Sequence, residues 1–317
     1  MQHTRRISFA HMPAVAVAWL SLAACTAPAL APIPVTIDDT AVYPESVTST
    51  RAGDLIVGSI KGNLYRARRG ESRAVAWVRP DAQNGLQSVF GVLAHEPSGT
   101  LWVCSVPNPF APPAADRVAE LVALDLASGR VKSRYPFPPP RSVCNDMTVA
   151  RDGAVYAADT QNGRILRLAP GAGALVVYGE DPLLAGIDGI AFAGDGRLYA
   201  NNVRTGALLR VEAGAERMGR VTPLQLSEPL GGPDGMRLVS GNRFVLAEGA
   251  TGRIDEITIE GDRAIVRVLK TGLNSSPGVT PMGRLAWAVE GKIGYLVDPK
   301  LRGRDPGPFT IIPVPLP

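Results

Sequence analysis

The chain of 317 residues is 45% hydrophobic and 20% charged, enough apolar material for a sizeable core and too little charge for a disordered chain. Glycine (34) and proline (28) are plentiful without a collagen period, which favours one large all-β domain with many tight turns. The formal charge of +4 includes Arg5 and Arg6 of a leader segment; four minus two leaves +2, with no basic track for nucleic acid.

The leader comes first. Arg5 and Arg6 precede an apolar stretch from Met12 to Ala24, too short to span a membrane and suited to a signal sequence. It ends in Leu22-Ala23-Ala24-Cys25, which resembles the bacterial lipobox and implies acylation of Cys25 as the new first residue. An ordinary cut after Ala29-Leu30-Ala31 is the alternative. Thr26 is not the aspartate that retains such proteins at the inner membrane, so the expectation is an outer-membrane anchor facing the periplasm. Residues 1–25 are thus expected to be a signal peptide with lipobox, 26–40 a proline- and alanine-rich tether with a possible closing strand, and 41–317 the folded domain.

Beyond the tether a turn residue followed by an apolar or aromatic strand recurs six times. The turns are Gly53, Gly99, Gly153, Gly196, Asn242 and Gly283; the strands they open begin at Leu55, Leu101, Val155, Leu198, Phe244 and Leu285. Asn242 is expected to replace the turn glycine, because asparagine also tolerates a left-handed backbone. A second glycine follows five of these strands, at Gly62, Gly163, Gly206, Gly252 and Gly294, and opens another apolar run such as Arg164 to Leu168. Each unit therefore reads as strand, tight turn, strand, turn, strand.

Units this short cannot bury both faces of their own sheet, so neighbours must stack and the ring must close: a six-bladed β-propeller. Helical periodicity never alternates with strands, which excludes α/β folds. Pro107 to Pro113 reads as a loop inserted over one face, and closure is expected from Pro34–Thr40 and Pro308–Pro317, with their pairing open. Cys104 and Cys144 are either a disulfide, which an oxidising compartment would preserve, or two small buried hydrophobes.

The same register locates candidate chemistry. Eight positions before the turn residues stand Glu45, Gly91, Asn145, Asp188, Asp234 and Ser275. The first strand of a propeller blade is innermost, so these positions should ring the mouth of the central channel. Glu45, Asn145, Asp188 and Asp234 offer oxygen donors suited to a hard cation, and their carboxylates would repel one another without one. His3 and His11 fall in the leader and His95 at the far end of a first strand, so a Ser-His-Asp triad is disfavoured. Neither a phosphate-binding glycine motif nor a Cys/His zinc pattern occurs.

The pieces Pro44-Glu45-Ser46, Asn145-Asp146-Met147, Asp188-Gly189-Ile190 and Pro233-Asp234-Gly235-Met236 span nearly the whole chain after the leader. Their order resembles the senescence-marker/gluconolactonase (regucalcin-like) family of six-bladed calcium-dependent propellers, relatives of the paraoxonases. The resemblance implies a divalent metal, Ca2+ first, on Glu45, Asp188 and Asp234, with Asn145 as a further ligand or substrate contact and Asp146 near a second, structural ion. Position 188 departs from it: aspartate stands where the family commonly has asparagine, either to tighten the cation or to act as a base.

The activity so implied is hydrolysis of a lactone or other activated ester. The cation polarises the carbonyl, Asp188 or Asp234 takes a proton from the attacking water, and Asn145 positions the substrate. Two other classes stay open: a non-catalytic binding or scaffold lipoprotein, and a strictosidine-synthase-like condensation catalyst with a glutamate base and no metal. The expected partners are a small-molecule lactone or ester and, through the lipid anchor, a membrane.

Overall fold

The computed structural model describes residues 1–2, 32–110 and 117–317. The leader, Cys25 and part of the Pro107–Pro113 segment lie outside the described residues.

From residue 33 onward the chain forms a β-propeller of six antiparallel four-stranded blades, the first and last joined edge to edge, and the fifth carries an additional short strand, Gln225–Leu226, paired in parallel with its outer strand. The inner strands of blades 1 to 6 are Pro44–Ser49, Ser88–His95, Cys144–Val149, Ile187–Phe192, Pro233–Ser240 and Val279–Met282. They touch one another in that cyclic order, the sixth returning to the first, which closes the ring. The second strands, such as Leu55–Ser59, Thr100–Val106 and Val155–Asp159, are buried along their whole length because neighbouring blades cover both faces. That explains their near-continuous apolar runs.

The core is divided accordingly. Six apolar clusters occupy the seams between blades, one per seam. Trp102 and Leu121 of blade 2 meet Val155 and Leu166 of blade 3, for example, and Tyr199 of blade 4 packs edge-on to Phe244 of blade 5 at 5.6 Å. No blade therefore carries a core of its own, as the repeat length demands.

Blade 6 is composite. Strand Val35–Ile37 is its outermost member, antiparallel to Phe309–Pro315 with Val35 opposite Ile311 and Ile37 opposite Phe309. Its other edge pairs in parallel with Arg73–Val78 of blade 1, so three residues fasten the two blades together. Cys104 and Cys144 form a disulfide between the second strand of blade 2 and the inner strand of blade 3, both fully buried.

Three local expectations need correction. Each blade has a fourth strand, because outer strands such as Val176–Glu180 and Met218–Pro223 face solvent and lack the apolar runs that reveal the inner ones. In blade 5 the left-handed residue is Gly241 at φ 56°; Asn242 is not left-handed and instead holds the turn by donating its amide N–H to the Ile259 carbonyl. Gly294 opens a one-turn helix, Gly294–Val297, where a third strand was expected.

Candidate functional site

Glu45, Asn145, Asp188 and Asp234 are each the second residue of an inner strand. In all four blades the register with the second strand slips at that point, between Pro44 and Ser46, Cys144 and Met147, Ile187 and Ile190, and Pro233 and Met236. A bulge of this kind twists the strand and re-aims the extra side chain. The four side chains thereby line one cavity of about 10 Å³, walled also by Ser46, Phe90, Gly91 and Pro277. Ser275 is not part of that lining; blade 6 contributes Pro277 in its place.

Glycine makes the close approach possible. A Cβ on Gly249 would stand 2.8 Å from Asp234 Oδ2, and one on Gly91 would strike the Met147 methyl and the Asp146 Cα at about 3 Å. A Cβ on Gly278 would meet Ser46 Cα at 2.7 Å and the Glu45 carbonyl at 3.0 Å. Backbone at Gly91, Gly249 and Gly278 thus closes around the acids where any larger residue would collide.

The electrostatics are those of crowded acids. Desolvation raises Glu45 to about 7 even though its side chain keeps an opening to solvent at the mouth. Asp188, 3% exposed, is raised well above the ordinary carboxylate range by desolvation, then by the charges of Glu45 and Asp146. Asp234 is raised by desolvation, then by Asp188 and Glu45. Asn145 donates from Nδ2 to Asp188 Oδ2 at 2.7 Å. The charge of Asp188 acts directly on Asp234, so the two carboxyls titrate as a pair rather than singly.

Among the described residues no three His, Cys, Asp or Glu side chains stand in metal-holding geometry. The donor chemistry nevertheless fits a hard cation: three carboxylates and an amide, a cavity of one-ion size, and a glycine cradle around it. Turning over the Asn145 amide would present its oxygen beside the Asp188 carboxylate it now donates to, adding a fourth oxygen donor to the three carboxylates.

Beneath the acids the channel is plugged. Arg237 of blade 5 reaches Asp146 of blade 3 through Nη1–Oδ2 at 2.6 Å and Nη2–Oδ1 at 2.8 Å, and it donates further to the Val92 and Met236 carbonyls. Asp146 also accepts the Ile190 backbone N–H. A guanidinium thus neutralises the aspartate for which a second, structural ion was expected. Asp146 was legible from its motif; Arg237 was not, because it is separated from its partner by 91 residues.

The rim between blades 6 and 1 holds four non-glycine residues in the left-handed region: Ala41 (φ 53°), Tyr43 (46°), Ser275 (59°) and Lys292 (50°). Backbone bonds from Gly291 to Ser275 and from Lys292 to Asn274 hold this strained rim together. His95 lies at the opposite end of its strand, with Nδ1 2.7 Å from Ser98 Oγ, and takes no part in the acid cluster.

No family model matches the chain, and no curated protein matches it by sequence. Solved structures do match over most of its length. The major Malassezia sympodialis allergen Mala s 1 superposes with a TM-score of 0.69 at 15% identity, covering 90% of this chain and 96% of its own. A gluconolactonase from Xanthomonas campestris gives 0.62 at 16% identity, covering 87% and 88%. Virginiamycin B lyase from Staphylococcus aureus gives 0.60 at 14%, covering 90% and 98%. At such identities the likeness shows the propeller fold, which hydrolase, lyase and allergen share.

Proposed function

We propose that the chain hydrolyses lactones or other activated esters at the acid-lined mouth of the channel. The observation that carries this reading is the placement of three carboxylates and one amide, from four blades, around a cavity too small for anything but an ion or a water. A divalent cation held there by Glu45, Asp188, Asp234 and Asn145, Ca2+ being the first candidate, would supply Lewis acidity toward a carbonyl oxygen.

The side chains supply the rest. A lactone ring cannot enter a 10 Å³ cavity, so it docks over the mouth with its carbonyl leading. Asn145, partly exposed at that opening, orients it through its amide. Asp188 or Asp234, whose basicity burial and like charges have raised, accepts a proton from the attacking water. Bound-metal analysis of the purified protein and a panel of lactones with and without chelator test the reading. One divalent ion per chain and chelator-sensitive turnover are expected; a stable metal-free protein inert to every lactone would overturn it.

A second reading, a non-catalytic binding propeller, draws support from a far larger cavity at the other end of the channel. It predicts ligand capture without turnover. Export and acylation at Cys25, with an outer-membrane anchor facing the periplasm, belong to the proposal as well. Their support is the leader sequence, and Cys25→Ser should abolish incorporation of labelled palmitate.

A further inference from the structure

The far end of the channel holds a cavity of about 700 Å³, built from the second halves of all six inner strands and the turns that follow. Thr48, Leu93, Val149, Phe192, Leu238 and Thr280 supply one wall residue from each blade, and Arg237 forms part of the floor. Its volume falls in the range of small-molecule sites, about 300–1,000 Å³. The Asp146–Arg237 pair separates it from the acid cluster, so it is no antechamber of that site.

Its chemistry narrows the occupant. The walls are mostly aliphatic and aromatic. The charge at the floor is cancelled within the protein, because both Arg237 Nη atoms are committed to Asp146 and to carbonyls. Burial also lowers the pKa of His95 at the rim, which favours its neutral form. Arg151 and Asp152, of opposite sign, stand exposed at the opening, so a charged ligand deeper in the cavity would lose its hydration and meet no free countercharge there. One donor is left over: Arg237, 8% exposed, has an Nε–H with no hydrogen-bond partner. A buried N–H of this kind is costly to leave unmade.

We infer that this cavity is a second binding site, for an uncharged and largely apolar small molecule that leads with one acceptor oxygen, such as a ketone, ester or ether. The acceptor completes Arg237, and the apolar body fills the ring of inner-strand side chains. The site is independent of hydrolysis at the acid mouth.

Nile red, neutral and carrying a carbonyl acceptor, is the probe. Titrated into the purified full chain without detergent, it should bind saturably at one per chain with a blue-shifted emission. Ala94→Trp and Ala150→Trp, which fill the cavity from blades 2 and 3, should each weaken that binding at least tenfold while circular dichroism and thermal midpoint stay close to wild type. Pyrene, apolar without an acceptor, should bind at least tenfold more weakly than Nile red. Absence of saturable binding, binding untouched by either tryptophan, or pyrene binding as tightly as Nile red would each overturn the inference.

Discussion

Arg237 and Asp146 face each other across the channel, 91 residues apart, joined by two hydrogen bonds of 2.6 and 2.8 Å. The pair ties blade 5 to blade 3 and, through the Val92 carbonyl, to blade 2. Removing one partner leaves an uncompensated buried charge, so Arg237→Met should cost about 3–5 kcal/mol in urea denaturation. The double variant Arg237→Met with Asp146→Asn should recover much of that loss. Equal destabilisation of single and double variants would show that packing, not charge, holds the plug.

Glu45→Gln and Asp234→Asn each remove one negative donor from the mouth with little change of volume. On the proposed function both should lose the bound divalent ion and lower kcat/KM by at least a hundredfold. They should also stabilise the chelated protein, because each relieves repulsion among Glu45, Asp188 and Asp234. A variant that keeps both metal and activity would remove that residue from the site.

The ring and its acids were readable in the sequence because blades 1, 3 and 4 repeat a turn glycine eight positions after the second residue of the inner strand, a count that Asn242 preserves in blade 5 although the left-handed residue there is Gly241. Glu45, Asn145, Asp188 and Asp234 share a register that survives folding. The bulges that turn them inward leave a fainter trace, the glycines at 91, 189 and 235 that let adjacent inner strands approach. Arg237 left none, since nothing local distinguishes a strand arginine that faces the channel from one that faces solvent. Outer strands such as Arg73–Val78 were missed because a strand with one wet face mixes polar residues among the apolar ones and carries no continuous apolar run.

Asp255 in blade 5 predicts a pH dependence separate from the acid mouth. It is fully buried beside Glu248 and Arg253, and desolvation, then the neighbouring Glu248 carboxylate, raise it from 3.8 to about 7. A raised carboxyl keeps its proton in the folded state where the unfolded chain releases it. Its contribution is therefore full below pH 3.8 and lost as pH climbs toward 7. Urea midpoints measured from pH 4 to 8 should fall across that window in wild type and fall less in Asp255→Asn.

The disulfide closes a loop of 40 residues, which restricts the unfolded chain by about 4 kcal/mol on the loop-entropy model. Cys144 also precedes Asn145 directly. Cys104→Ala with Cys144→Ala should thus lower the denaturation midpoint by an amount in that range and raise KM, with wild type under reductant following the same course. An unchanged midpoint would show that the bond adds nothing to the apolar seam around it.

Ile37 is 2% exposed in the seam between blades 6 and 1, whereas Ile33, just outside the strand, is 72% exposed. Ile37→Ala should cost about 2–5 kcal/mol and Ile33→Ala close to nothing. Thermal unfolding of the two variants side by side checks whether the three-residue strand bears the load assigned to it.

That strand also sets the order in which the molecule can be finished. Val35–Ile37 is among the first segments of the domain to be synthesised, yet its antiparallel partner, Phe309–Pro315, is the last. A chain stopped short of Phe309 leaves blade 6 without its third strand and this early strand without its antiparallel partner, exposing bare edges. The fold thus acts as a proofreader of synthesis: products stopped before Phe309 present the sticky edges that proteases and chaperones recognise, and only a polypeptide that reaches Pro315 can hide them.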